Sequence, residues 1–250
     1  MIKIILVGAN GKMGSAITSN IGTAEDIEII AGVDKYKGIN RDYPVYDTIN
    51  EITEKADAII DFSNPEAMSD ILEYAIKNNL PLVLGTTGLS DNQFKEINEA
   101  SKKIPVFSSF NMSLGVNLLI ELSKKATAVL GNDFDIEIIE QHHNQKIDAP
   151  SGTAFMLANA IDEVKNNSMK FVYDRHSTRA KREKNEIGIH SIRGGNIVGE
   201  HQVIFAGTDE IITISHSARS KEVFATGAVN AARFLIGKSP NLYSMKEMIG

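Results

Sequence analysis

One short stretch of the chain combines residue types that do chemistry: Glu140-Gln141-His142-His143-Asn144-Gln145-Lys146-Ile147-Asp148-Ala149-Pro150-Ser151-Gly152-Thr153-Ala154. It sets two imidazoles and an ammonium beside the start of a helix, marked by Pro150-Ser151-Gly152-Thr153 and the helix-forming run Ala154-Phe155-Met156-Leu157-Ala158. First-turn N–H groups have no partner within a helix, and the helix dipole reinforces them, so such an end favours an anion. Lysine adds a full positive charge and a transferable proton. His142 or His143 titrates near neutrality in an ordinary environment. Together these residues make a seat for a small carboxylate with a proton donor beside it. No metal centre is expected: adjacent strand histidines point to opposite faces, and neither His-Glu-x-x-His nor any cysteine is present.

A second constellation sits at the other end of the chain. Gly8, Gly11 and Gly14, in Gly8-Ala9-Asn10-Gly11-Lys12-Met13-Gly14, follow the apolar run Ile2–Val7 and open a helical pattern. Glycines there permit a tight turn and let backbone approach a pyrophosphate. The spacing is G-x-x-G-x-x-G rather than G-x-G-x-x-G, but Asp34 ends the next strand 20 residues after Gly14, where a carboxylate meets the adenosine ribose. Asp34 suits the unphosphorylated ribose of NAD; Lys35 beside it suits a 2′-phosphate, so NADP stays open. Gly85-Thr86-Thr87-Gly88 and Phe110-Asn111-Met112-Ser113 follow later strand ends, which places Thr86, Thr87 and Asn111 toward the nicotinamide end.

The elements that must position these groups follow from hydrophobic patterning. Continuous apolar runs at Ile2–Val7, Ile27–Val33, Ala58–Ser63, Pro81–Leu84 and Pro105–Ser108 alternate with helical stretches, as a doubly wound parallel sheet requires. Past Ser113 the pattern changes. A long helix spans 115–130, the alternating strand Phe134–Ile139 delivers the histidines, and the helix of the first motif runs to about Val164. Ile187–Arg193, Gly199–Ala206 and Glu210–His216, joined by short turns, read as an antiparallel meander, and Lys221–Leu235 returns to helix. The basic segment Arg175–Lys184 reads as a solvated loop. The expectation is α/β: a dinucleotide-binding domain of residues 1–112 and 219–250, interrupted by an α+β domain of residues 113–218 with a mostly antiparallel sheet. Hinges are expected near Ser113 and Ala218.

Composition bounds the partners. A chain of 250 residues, 42% hydrophobic and 23% charged, is long enough to bury two cores. A net charge of −6 argues against nucleic acid, which needs a basic face. The absence of cysteine, of a signal peptide and of any apolar run near the ~20 residues of a membrane span points to a cytoplasmic protein.

Taken together the motifs resemble the dihydrodipicolinate reductase family of the diaminopimelate–lysine pathway. The resemblance rests on Val7–Gly14, Asp61-Phe62-Ser63-Asn64-Pro65-Glu66, Gly85–Gly88, Asn111–Asn117, Glu140–Ala154, Arg193–His201 and Phe224–Ala228. It implies reduction of 4-hydroxy-tetrahydrodipicolinate by NADH, NADPH or both, with His142 linked to catalysis and Lys146 the proton donor. It implies that His143, Gly152 and Thr153 hold the substrate carboxylates. Cofactor contacts are implied at Gly8, Ala9, Asn10, Gly11, Lys12, Met13, Asp34, Gly85, Thr86, Thr87, Ser109, Phe110, Asn111 and Met112, and a homotetramer through the sheet of the second domain. Asn144-Gln145 replaces an Arg-His pair of some members, Asp34-Lys35 replaces Glu-Arg, and Ser220-Lys221 replaces Ser-Arg. Two rivals predict otherwise: another two-domain dehydrogenase does not need Lys146 beside an anion seat, and a non-catalytic NAD sensor binds cofactor without turnover.

Overall fold

The computed structural model describes residues 1–109 and 111–250. In chain order its strands are β1 (Ile2–Val7), β2 (Ile27–Val33), β3 (Val45–Tyr46), β4 (Ala58–Asp61), β5 (Leu82–Leu84), β6 (Pro105–Ser108), β7 (Asp135–His142), β8 (Lys170–Val172), β9 (Glu186–Arg193), β10 (Gly199–Ala206), β11 (Ile211–Ala218) and β12 (Asn241–Tyr243). The helices are α1 (Lys12–Ile21), α2 (Met68–Asn78), α3 (Asp91–Ser101), α4 (Leu114–Leu130), α5 (Gly152–Val164), α6 (Glu222–Leu235) and α7 (Met245–Ile249). The chain divides into two compact units, Met1–Leu114 with Lys221–Gly250, and Gly115–Ser220.

The first unit is a parallel sheet in the order β12-β6-β5-β4-β1-β2-β3. Its central strands are mostly apolar because both faces are covered. Ile4 and Leu6 of β1 face one core with Ile17 of α1 and Ala228 and Val229 of α6. Ile5 and Val7 face the other with Ile71 of α2 and Ile97 of α3. Each such side chain withdrawn from water contributes about 1.5–3 kcal/mol before entropy is counted. Strand order reverses between β4 and β1, and the crevice beyond the carboxyl ends of those strands is where a doubly wound sheet takes its ligand.

The second unit carries a sheet in the order β11-β10-β7-β9-β8. Here the expected mostly antiparallel meander is corrected. β10 pairs antiparallel with β11 and β7, but β9 pairs parallel with β7 and β8, so the sheet is mixed. β9 and β10 are neighbours in sequence, yet β7 lies between them. The chain leaves β7 through α5 and returns along β9 in the same direction, a crossover that makes those strands parallel. α5 buries Ala154, Leu157, Ala158 and Ile161 against Ile136 and Ile138 of β7, Ile189 of β9 and Phe205 of β10.

Candidate active site

β7 alternates strictly, and its buried positions are Ile136, Ile138, Glu140 and His142. The strand therefore runs further than Phe134–Ile139, and His142 is its last residue, 9% exposed, at the strand end as expected. Register then decides what surrounds the polar pair. Glu140 lies between Ser191 of β9 and His201 of β10, His142 lies beside Arg193, and His201 faces His216 of β11.

Glu140 is fully buried, and its two oxygens are shared among several donors. Arg193 grips them bidentately, Nη1 to Oε2 at 2.8 Å and Nη2 to Oε1 at 2.7 Å. The Ser151 N–H donates to Oε1 at 3.2 Å, and His142 Nδ1 lies 2.6 Å from Oε2. Burial pushes the Glu140 carboxyl up, but hydrogen bonds from Arg193, Ser191 and His142 outweigh it and hold the group at about 2. Glu140 is thus an anion and can only accept, so His142 carries its proton on Nδ1 and leaves Nε2 as an acceptor. Burial lowers the His142 pKa more than Glu140 raises it, and Lys146 and Arg193 push the same way. His142 is thus held below the ordinary histidine value, which favours the neutral ring at pH 7.

The loop after β7 is stitched down from both sides. Gly194 N–H donates to His142 O at 2.9 Å, Asn144 N–H to Gly195 O at 3.2 Å, and Arg193 Nη2 to Asp148 O at 2.8 Å. Lys146 Nζ donates to Asp148 Oδ1 at 2.8 Å, and that bond is what chiefly holds the Asp148 carboxyl low. Ser151 caps α5 by accepting the Ala154 N–H at 3.2 Å, with Gly152 and Thr153 forming the first helical turn. His142, His143, Lys146, Gly152 and Thr153 are thereby brought to one loop and one helix start, as the spacing predicted. The segment Arg175–Lys184 departs from expectation. Arg175 and Arg182 are not merely solvated but pair with Glu137, Glu186 and Asp135 at 2.7–3.0 Å.

In the first unit, residues at the switch point surround two cavities. One, of about 350 Å³, is lined by Gly8, Gly11, Asp34, Lys35, Asn64 and Asp70 among others. Gly8 has φ +80°, and a Cβ there or on Gly14 would overlap backbone oxygens of Phe62 and Gly8, so larger residues cannot close this turn. Gly11 is the N-cap of α1 and offers no side chain, which leaves the first-turn N–H groups bare toward an anion. Asp34 accepts the Asn10 and Tyr36 N–H groups, each at 2.9 Å, which aims its carboxylate at the cavity it lines. These features fit a dinucleotide. Among the residues expected there, Ala9 is packed in the core, Lys12 is exposed, and the Asn10 side chain is engaged by Tyr36 O and Arg41.

The other cavity, of about 420 Å³, is lined by Met13, Gly85, Thr86, Thr87, Ser109 and Asn111, with Met112 also at its wall. Phe110 lies outside the described residues. Asp61 at the end of β4 organises this wall, accepting Ser63 Oγ at 2.5 Å and Thr86 Oγ1 at 2.7 Å. Burial raises the Asp61 pKa against those bonds.

Two family models divide the chain between them. That of the dihydrodipicolinate reductase N-terminus matches residues 2–112, and that of its C-terminus matches residues 115–249. The chain belongs to the dihydrodipicolinate reductase family. It is 52% identical over 249 residues to 4-hydroxy-tetrahydrodipicolinate reductase of Caldanaerobacter subterraneus subsp. tengcongensis, covering 100% of this chain and 98% of the relative. It is 50% identical over 250 residues to that of Clostridium novyi, with the same coverage. Among solved structures it resembles a dipicolinate-bound dihydrodipicolinate reductase from Paenisporosarcina sp. TG-14, with TM-score 0.83 and 26% identity over 98% of this chain and 97% of that one. The chain is thus an oxidoreductase of the reductive step on 4-hydroxy-tetrahydrodipicolinate in diaminopimelate and lysine biosynthesis, and its family implies a pyridine-nucleotide cofactor. Among the described residues no helix is long and apolar enough to cross a membrane.

The roles of Glu140, Arg193, Asp148, His201 and Asp61 were not read from the sequence. For Glu140 a signal existed: the period-2 alternation of β7 continues through it and places it inward with His142. Arg193 and His201 reach the site from 53 and 50 residues away, and nothing local announces that.

Proposed function

We propose that the second unit seats the dicarboxylate substrate and that Lys146 supplies the proton. The first unit binds the nucleotide, through Gly8–Met13 and Asp34 at its adenosine and pyrophosphate end, and through Gly85, Thr86, Thr87 and Ser109–Met112 at its nicotinamide end. NADH or NADPH supplies the hydride when bound. The substrate carboxylates are held by His143 and at the first turn of α5, at Gly152 and Thr153, where the helix dipole favours a negative charge. Hydride addition to the dehydrated ring moves an electron pair onto the substrate. Lys146 Nζ quenches it by protonation, and solvent restores the lysine proton. Loss of water from the 4-hydroxy form completes the balance to tetrahydrodipicolinate. His142, neutral and bonded through Nδ1–H to Glu140, orients the ring through Nε2 rather than carrying a charge.

The observation that supports this most is Lys146 held 2.8 Å from Asp148 on the loop that leads into α5. An anionic partner already occupies the ammonium that a substrate carboxylate would take. Dipicolinate bound to the Paenisporosarcina relative supports a dicarboxylate ligand of the same class. Asp34 for the ribose and Lys35 for a 2′-phosphate, both lining one cavity, support use of both nucleotides. The uncovered face of the second sheet, with Ile211 68% exposed, supports a homotetramer built on it. A coupled assay that generates the substrate enzymatically and follows NADH and NADPH oxidation separately tests the reading. Turnover with either nucleotide and inhibition by dipicolinate are expected; nucleotide binding without turnover would leave the sensor reading standing.

A further inference from the structure

Beneath the carboxylate seat lies a buried histidine that the reaction as proposed does not use. His201 of β10 is 5% exposed, and its Nε2 shares a hydrogen bond of 2.9 Å with Ser151 Oγ. Its ring stands edge-on to His142, centroids 5.2 Å apart at 73°. On its far side the backbone register places His216. Its Nδ1 is buried without a hydrogen-bond partner. A buried polar nitrogen left unsatisfied costs stability, so the ring holds this place at a penalty that other contacts must offset.

Ser151 is the residue through which that contact matters. Its hydroxyl caps α5 by accepting the Ala154 N–H, and its own N–H donates to Glu140 Oε1. Ser151 thus joins the first turn of α5, where Gly152 and Thr153 lie, to the Glu140 carboxylate that fixes His142. Like the Glu140 carboxylate, the His201 side chain reaches both branches: it bonds the Ser151 hydroxyl and packs on the His142 ring. Burial, reinforced by the neighbouring His142, holds its pKa at about 4, so the ring is neutral and adds no charge to the seat. A neutral imidazole can exchange one hydrogen bond with Ser151 whichever nitrogen carries the proton.

We propose that His201 is a positioning residue for the substrate carboxylate: through Ser151 it sets the first turn of α5, and through ring contact it sets the plane of His142. This rests on the reading of α5 as the carboxylate seat, and it adds a residue that touches neither substrate nor cofactor. Losing a hydrogen bond that holds the capping hydroxyl loosens the turn by roughly tenfold in local opening.

The test compares His201→Leu, which keeps volume and removes the bond, with His201→Gln, whose side-chain amide can still reach Ser151. Two readouts are taken on the full chain: amide hydrogen exchange at Thr153–Phe155 and calorimetric binding of dipicolinate, with NADH binding by fluorescence as the control. His201→Leu is expected to speed exchange in that turn and weaken dipicolinate about tenfold while NADH binding holds; His201→Gln is expected to recover most of both. Parental exchange and parental dipicolinate binding in a folded His201→Leu overturn the proposal. So does His201→Gln behaving like His201→Leu. If His201→Leu does not fold, the decision passes to Ser151→Ala, which removes the same bond from the other side. Parental dipicolinate binding there overturns the proposal as well. Parental protein that binds no dipicolinate refutes the substrate seat instead, and the exchange readout still decides whether His201 sets the helix start.

Discussion

Arg193→Leu is the perturbation with the largest effect that can be worked from the structure. Arg193 bonds both oxygens of a carboxylate with no exposed surface. Removing the guanidinium leaves Glu140 buried with only His142 and Ser donors, and breaking a buried pair from one side typically costs about 3–5 kcal/mol. Proton linkage gives the same scale independently. The fall of the Glu140 pKa from an ordinary 4.5 to about 2 is worth about 3 kcal/mol at neutral pH. Its sign follows from the depressed value: the stability is fully present above 4.5 and is lost as pH falls from 4.5 toward about 2. Without Arg193, burial dominates and the carboxyl rises, so the variant gains relative stability as acid protonates it.

The chain has no tryptophan, and it folds as two units, so a global melt would blend their signals. Amide hydrogen exchange of β7 reads the affected strand directly. Arg193→Leu is expected to lower β7 protection by roughly two orders of magnitude or more near pH 7, consistent with about 3 kcal/mol or above. The gap between parent and variant, corrected for intrinsic exchange, should narrow below pH 4.5. The double variant Glu140→Gln/Arg193→Leu should recover part of the loss, because no charge is then stranded. Parental protection in Arg193→Leu, or a gap that does not change with pH, would refute the account of Glu140 as a buried anion held by Arg193.

The remaining expectations concern the reaction and the assembly. Lys146→Gln should lower turnover by about 10²–10⁴ while NADH binding, titrated by fluorescence, stays parental; a parental kcat would remove the lysine from the mechanism. Asp148→Asn frees Lys146 from an exposed ion pair, so the dicarboxylate KM should fall about two- to fivefold, and an unchanged KM would show that the pair does not compete with substrate. Asp34→Ala should weaken NADH more than NADPH, and an equal loss in direct titrations of both nucleotides counts against its place on the ribose. Light scattering should give a tetramer, and a monomer at micromolar concentration would sink the sheet-mediated assembly.

What the sequence disclosed, and what it did not, follows from the range of each interaction. The runs at Ile2–Val7, Ile27–Val33 and Ala58–Asp61 identify themselves because burial on both faces makes nearly every position apolar, Lys3, Glu28 and Asp61 excepted. The Gly8–Gly14 loop is equally local, since a positive φ at Gly8 and backbone crowding at Gly14 demand glycine there. The two- and three-residue strands β3, β8 and β12 are too short to carry a period and went unread. The mixed sheet was missed for a different reason. Short turns between β9 and β10 suggested direct pairing, but whether β7 slips between them is decided by α5 burying Leu157 and Ile161 on that sheet. At the site, residue types and helix start were legible, whereas the electrostatic environment was not. Whether His142 is charged depends on Glu140 and Arg193, which meet only once β7 and β9 lie in register.

That environment explains how a lysine and a histidine can stand four residues apart at the end of β7. Lys146 itself pushes the His142 pKa down, so a second cation there would have to stand against a like charge. Burial of His142 removes the conflict by keeping the ring neutral, and Glu140 fixes which nitrogen holds its proton. Glu140 in turn is held ionised chiefly by Arg193, so the Arg193 charge is used inside the protein. Among the described residues the ammonium of Lys146 pairs with Asp148, an acid 61% exposed and therefore weakly held in solvent. In the proposed reading, a dicarboxylate arriving at α5 competes against that screened contact. In the proposed reaction the buried Glu140–Arg193 pair thus serves without touching substrate: it leaves Lys146 as a displaceable cation beside α5, where the dicarboxylate is proposed to bind.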